Sequence, residues 1–165
     1  MLYSQQERVL LLYPKEFVAE NSYKGWDRIP LRELRVGRGN VSVLVFDMRI
    51  DAENIPTVFD LGATVNLMNR RAARALDIPV RRPQRKPEVL GVSGSTEVLA
   101  ELLVWRLLIN NSLWRNKIFL VGEFPVFEAL GLDGRPAAIA GTDLFGQRDF
   151  IIDFARQRLL VKSRD

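Results

Sequence analysis

The 165-residue sequence contains no histidine and no cysteine. These two absences exclude several classes of active site. A Ser-His-Asp triad, a Cys-His pair, a zinc site with Cys and His ligands, an iron–sulfur cluster and a thiol redox motif each need at least one of the two residue types. Any catalysis must therefore use carboxylate, hydroxyl, lysine or backbone groups. Without cysteine, the sequence also gives no indication of the redox compartment.

Long hydrophobic runs are absent as well. No segment approaches the roughly 18 uninterrupted apolar residues of a membrane span. Residues 9–13 form a short apolar run near the start, but charged residues flank it on both sides. This run is shorter than the hydrophobic region of a signal peptide. We therefore expect a cytoplasmic protein that has no membrane partner.

The composition is that of a globular domain, with 47% hydrophobic and 27% charged residues. The length favours one compact unit over two. The net charge of +4 is spread along the chain and is weak support for a polyanionic partner. The densest basic stretch, residues 81–86, is interleaved with prolines, which favours a solvated loop. We expect no nucleic acid partner; a basic barrel that binds nucleic acid is the alternative, and it would require salt-sensitive binding to polyanions.

Short strands dominate the predicted secondary structure. Residues 1–35 lack a clean period and are predicted to form an irregular N-terminal arm with one strand at 8–13, followed by a single domain over residues 36–165. Strands are predicted at 41–50, 57–61, 88–92, 96–103, 103–109, 113–121, 137–140, 150–154 and 158–161, and short helices at 69–76, 125–130 and 142–145. This pattern indicates a mainly β barrel or sandwich with two or three short helices.

One acidic residue, Asp60, has an unusual context. It ends an apolar run, residues 56–59, and is followed by Leu61 and Gly62. A carboxylate in such a run must be hydrogen-bonded, paired or protonated, and the glycine lets backbone N–H groups approach it closely. The pattern alone is equally consistent with an aspartate that opens a turn after an edge strand.

The order of the elements around Asp60 resembles that of the retropepsin-like aspartic proteases. Residues 58–64 and the helix that follows are similar to the active-site turn of that family, whose usual motif is two apolar residues and then Asp-Thr/Ser-Gly-Ala. Residues 138–145 resemble the segment and short helix behind that turn, and residues 151–154 and 158–161 resemble the closing strand pair. Together with residues 125–132, the resemblance extends from about residue 41 to residue 162 and is closest to the bacterial members.

The resemblance implies a mainly β, closed small barrel and an aspartic endopeptidase that cleaves a peptide or protein substrate without metal or organic cofactor. The implied catalytic residue is Asp60. The implied active-site turn consists of Leu61, Gly62, Ala63 and Thr64, and the implied substrate-binding flap of Gly91, Val92, Ser93 and Gly94.

Catalysis of this type needs two carboxylates that share a proton. The chain supplies one candidate, so the resemblance implies a homodimer with Asp60 of each copy at the two-fold axis and with residues 158–161 as interface material. Leu61 stands where the family has Thr or Ser, whose hydroxyl hydrogen-bonds across the dimer. This departure favours the alternative, a protease-like module that binds peptides or dimerises without cleaving.

Other candidate residues have structural interpretations. Asp143 is predicted to cap the start of a short helix, and Asp153 to mark a turn or an ion pair with a nearby arginine. Trp105 and Trp114 are predicted to pack in the core or in a dimer interface. Ser93 lacks a general base of the usual kind, which argues against a nucleophilic serine.

Overall fold

The structure is a computed structural model that describes residues 2–4, 9–11, 23–36, 41–83, 88–91, 94–146 and 148–163. Its elements are, in chain order, β1 (Leu2–Ser4), β2 (Val9–Leu11), β3 (Asp27–Pro30), β4 (Arg32–Val36), β5 (Val41–Ile50), β6 (Glu53–Phe59), β7 (Leu67–Asn69), α1 (Arg70–Leu76), β8 (Glu88–Gly91), β9 (Gly94–Glu97), β10 (Ala100–Ile109), β11 (Ser112–Gly122), α2 (Pro125–Ala129), β12 (Ala138–Ala140), α3 (Thr142–Phe145), β13 (Phe150–Asp153) and β14 (Arg158–Val161). No helix among these has the length and apolar character to cross a membrane.

The larger of two compact units, Glu33–Leu144, contains a β-barrel. Its strands follow the order β10-β11-β7-β12-β6-β5-β4, and the additional pairing of β10 with β5 closes six of them into a ring. The short strand β12 lies parallel to β6 and antiparallel to β7. This architecture, together with three short helices, confirms the prediction of a mainly β, closed small barrel.

Alternating apolar residues fill the barrel unit, as the period-2 pattern of strands requires. In β10, every second residue from Ala100 to Val104 is buried. One core cluster joins strand residues to the α2 region and consists of Val45, Val58, Leu67, Val98, Phe124, Phe127, Leu132, Ala137 and Ile139. The core therefore packs behind the end of β6, where the candidate site begins.

The smaller unit, Met1–Arg32 with Phe145–Asp165, contains a five-stranded sheet of order β2-β1-β13-β14-β3. All four residues of β13 are buried. Three short strands, β1 to β3, lie within the range predicted as an irregular arm, and β2 falls within the strand predicted at 8–13. The proposed domain boundary at residue 35 stays a prediction. β14 has β13 on one side and β3 on the other, so it leaves no edge for the strand of a partner.

Several predicted bounds are confirmed and others are wrong. β5 and β14 coincide with the predictions. β6 begins at Glu53, earlier than predicted, because residues 53–58 pair with β5 and only Asp51 and Ala52 remain in the turn. The predicted strand at 96–103 is wrong: β9 ends at Glu97, and β10 runs without interruption from Ala100 to Ile109 because its whole length pairs with β11.

Candidate active site

Asp60 lies immediately after β6, where the strand leaves the sheet. Its backbone N–H donates a hydrogen bond of 3.0 Å to the carbonyl oxygen of Ala140, the last residue of the neighbouring strand β12. This bond continues the parallel β6–β12 ladder one residue beyond β6. The backbone of Asp60 is thus fixed by the barrel, while its side chain is half-buried.

A tight turn holds the Asp60 carboxylate. The Gly62 N–H donates to Asp60 Oδ1 at 2.8 Å, and the Ala63 N–H donates to the Asp60 carbonyl oxygen at 3.4 Å. A Cβ atom on residue 62 would lie 3.1 Å from Asp60 Oδ1, closer than most Cβ atoms approach a neighbour. Glycine therefore allows the short N–H contact to the carboxylate, as the sequence pattern predicted.

The structure brings the predicted turn residues together around Asp60. Leu61, Gly62 and Thr64 are exposed, whereas Ala63 is half-buried and packs against the core cluster. The Leu61 side chain keeps 36% of its surface accessible, and Val65 is equally exposed. Two apolar side chains at the surface therefore flank the candidate carboxylate.

The segment after β12 supports this turn from behind. The Thr142 N–H donates to the Ala63 carbonyl at 2.9 Å, and the Asp143 N–H donates to the Thr64 carbonyl at 3.1 Å. A Cβ atom on Gly141 would lie 2.7 Å from the Ala63 carbonyl oxygen and would also clash with the carbonyl of Val65. Only glycine at position 141 lets the two segments approach this closely.

Sequence analysis missed the buried Asn66, which connects the turn to the barrel. Its Oδ1 accepts the Gly141 N–H at 3.2 Å, and its Nδ2 donates to the Ile118 carbonyl at 3.1 Å. Its own carbonyl accepts the Leu120 N–H at 2.9 Å. A buried polar side chain needs such partners. They lie more than 50 residues away in the sequence, so no local signal identifies the role of Asn66.

Asn69, predicted to cap a helix, has this role and a second one. Its Oδ1 accepts the Ala72 N–H at 2.9 Å, which caps α1. The same oxygen accepts the Ala137 N–H at 3.3 Å, while Nδ2 donates to the carbonyls of Leu132 and Arg135 at 3.1 and 2.7 Å. Asn69 thereby links α1 to the segment that leads into β12.

The other two aspartates lie in separate settings. Asp143 is exposed in the first turn of α3. Asp153, in the smaller unit, is 3% exposed and forms ion pairs with Arg158 at 3.0 Å and with Arg156 at 3.3 Å, which confirms the predicted arginine contact. Burial raises the pKa of Asp153, but the hydrogen bonds from Arg158 and from the backbone and side chain of Arg156 outweigh it and hold the pKa below its usual value.

The predicted flap coincides with a hairpin. β8 and β9 form a two-stranded sheet in which Gly91 is opposite Gly94. Val92 and Ser93 lie outside the described residues. Within the described part of the chain, no group of three or more acidic, His or Cys side chains could hold a metal ion.

The two predicted tryptophans differ. Trp114 is buried, as predicted for core packing, whereas Trp105 is 64% exposed and does not belong to the core.

The chain matches no protein-family profile and no curated protein. Its fold does match a solved structure, the crystal structure of a retropepsin-like aspartic protease from Rickettsia conorii, with a TM-score of 0.50 and 14% sequence identity. The match covers 81% of this chain and 92% of that chain. The chain therefore has the fold of the retropepsin-like aspartic proteases.

Proposed function

We propose that this protein is an aspartic endopeptidase in which Asp60 of two identical chains forms the catalytic pair. The observation that carries the proposal is the position of Asp60, half-buried at the end of a barrel strand, with its carboxylate held by the Gly62 N–H at 2.8 Å. The retropepsin-like fold supports the proposal, because a carboxylate is fixed there by backbone contacts on both sides of the turn.

The proposed reaction needs two carboxylates in different protonation states. Carboxylates about 3 Å apart cannot both ionise, so the pair shares one proton. The ionised Asp60 removes a proton from water as the water oxygen attacks the peptide carbonyl carbon. The protonated Asp60 donates its proton to the carbonyl oxygen. Proton transfer to the amine nitrogen then accompanies cleavage of the C–N bond. The chain provides one Asp60, so its partner is a second copy placed by a two-fold axis.

The substrate in this proposal is an extended peptide that lies under the β8–β9 hairpin. In the described part of the chain, β8 pairs only with β9, which leaves this hairpin outside the barrel sheet. A hairpin of this kind can move over a bound peptide without opening the barrel, and its closure would exclude water from the carboxylates. The peptide would bind mainly through backbone hydrogen bonds, with its side chains alternating in direction.

Cleavage of a mixed peptide library, followed by mass spectrometry at about pH 5 and about pH 7, tests the proposal. We expect the wild type to cleave, with more activity at the acidic pH, and Asp60→Asn to lose cleavage. Asp143→Asn is the matched control, because it removes an exposed carboxylate from α3. Equal cleavage by wild type and Asp60→Asn would refute the assignment of Asp60.

The exposed Leu61 favours a second candidate function, a dimerising peptide-binding module without catalysis. Leucine has no hydroxyl with which to hydrogen-bond beneath a carboxylate pair, and an exposed apolar side chain can instead pack against its copy. Leu61→Thr distinguishes the two candidates. A peptidase is expected to retain or gain cleavage in this variant. A wild type that forms a dimer in analytical ultracentrifugation, binds peptides and cleaves none would instead support the second candidate.

A further inference from the structure

The outer face of the β10–β11 hairpin exposes an unusual set of side chains. We call Trp105, Arg106, Leu113, Arg115 and Ile118, with Arg49 of the adjacent β5, the Trp105 surface. Trp105 is 64% exposed, Ile118 48% and Leu113 36%. The inside–outside alternation fails here, because two successive residues are exposed in each strand: 105 and 106 in β10, and 115 and 116 in β11. The left-handed backbone of Asn116, with φ of 53°, lies at this interruption.

Three arginines on this surface repel one another. Arg106 lies directly opposite Arg115, and Arg49 lies opposite Leu108, two residues further along β10. None of the three has a carboxylate within 4.0 Å among the described residues. Like charges that face each other across a strand pair are destabilising. This arrangement is unfavourable in the free protein, and an anionic partner would relieve it.

A cavity of about 280 Å³ beside these arginines has an apolar wall. Arg49, Arg106 and Asp51 supply its charged groups, and three leucines supply the rest: Leu107, Leu108 and Leu113. Guanidinium groups bind carboxylates with two parallel hydrogen bonds, whereas the leucines need an aliphatic contact. A ligand that satisfies both must carry carboxylates and apolar groups together.

The strand edges at this surface are occupied. β10 pairs with β11 and with β5, and β11 pairs with β10 and with β7. A partner cannot extend the sheet here, so it must contact side chains. Exposed tryptophan and arginine are the side chains that contribute most often to protein–protein binding energy.

We propose that the Trp105 surface docks a protein segment rich in acidic and aliphatic residues. The carboxylates of the segment would pair with Arg49, Arg106 and Arg115, and its aliphatic side chains would cover Trp105 and the leucines of the cavity. Single-stranded nucleic acid would satisfy the arginines and could stack on Trp105. It would leave Ile118 and Leu113 without an apolar partner, so the exposed aliphatic side chains favour a protein segment. This docking does not depend on the proposed peptidase activity.

Fluorescence anisotropy with five labelled probes tests this proposal. The probes are four 12-residue peptides (glutamate with leucine, glutamate with serine, glutamine with leucine, lysine with leucine) and a 12-nucleotide single-stranded DNA. We expect the glutamate–leucine peptide to bind tightest, and each other peptide to bind at least about tenfold more weakly. Equal binding of the glutamate–serine peptide, tighter binding of the DNA, or no binding of any peptide would each overturn the proposal.

Variants locate the binding on the Trp105 surface. Trp105→Ala is expected to weaken binding of the glutamate–leucine peptide by about tenfold or more. Arg115→Glu should also weaken binding, yet it should raise the urea midpoint, because it places an opposite charge across from Arg106. A merely structural arginine would not give this combination. Arg82→Glu, an exposed residue outside the hairpin, makes the same charge change and should leave binding unchanged; equal weakening by this control would refute the assigned location.

Discussion

Replacement of Asn69 by alanine should strongly destabilise the barrel unit. The Asn69 amide forms four hydrogen bonds, which is its full capacity. Alanine removes the cap of α1, at a cost of about 1 kcal/mol. It also leaves the Ala137 N–H and the Leu132 carbonyl unpaired in residues that are 0% and 1% exposed. At about 1.5 kcal/mol for each buried unpaired group, the loss in the free energy of unfolding is about 4 kcal/mol in total.

Urea unfolding followed by circular dichroism measures this loss. Asn69→Ser keeps an oxygen that can cap α1 but cannot reach the carbonyls of Leu132 and Arg135, so it should be about 1 kcal/mol more stable than Asn69→Ala. Asn54→Ala, at an exposed position of β6, is the control and should change stability by less than about 0.5 kcal/mol. Stability of Asn69→Ala within about 1 kcal/mol of the wild type would refute this account of the buried network.

Two further substitutions test the turn and the smaller unit. Gly141→Ala should lower the free energy of unfolding by about 2 kcal/mol or more in urea, since its Cβ would clash with the carbonyls behind Asp60, whereas Gly134→Ala has open space and should not. Asp153→Asn should cost about 3 kcal/mol at pH 7. Because the folded pKa of Asp153 is lowered, its stabilisation is present above its ordinary pKa and is lost as the pH falls through the folded value, so urea titrations at pH 7 and pH 3 should show the difference narrowing in acid; an unchanged difference would contradict the ion-pair account.

Local patterns predicted the elements whose own residues determine their structure. β5 combines β-branched residues with alternation, and α1 has a capping asparagine followed by strong helix formers, so both were predictable. Glu53 and Asn54 have low strand propensity, yet they pair with Ile50 and Arg49 because the tight turn at Asp51 brings them opposite β5. Tertiary pairing overrides propensity in β6, and a single sequence does not reveal that pairing.

The candidate site divides in the same way. Asp60 and Gly62 are neighbours in the sequence, so the contact between the glycine N–H and the carboxylate could be anticipated from their order. Asn66 depends on Ile118 and Gly141, and its buried amide has no counterpart in the local pattern. Trp105 was predicted to be packed because it lies in an apolar strand, but the break in alternation beside it turns the ring outward. Burial at such positions depends on strand geometry that composition does not encode.

The sheet of the smaller unit also has a consequence for synthesis. β1 and β3 pair with β13 and β14, and these partners leave the ribosome about 130 residues or more after β3. For most of translation, β1 and β3 therefore have no partner strand, and their unpaired backbone groups are exposed to other nascent chains. We expect this sheet to form late and to make refolding slow and sensitive to protein concentration. A fragment that ends before Phe150 would lack the central strands of the sheet altogether.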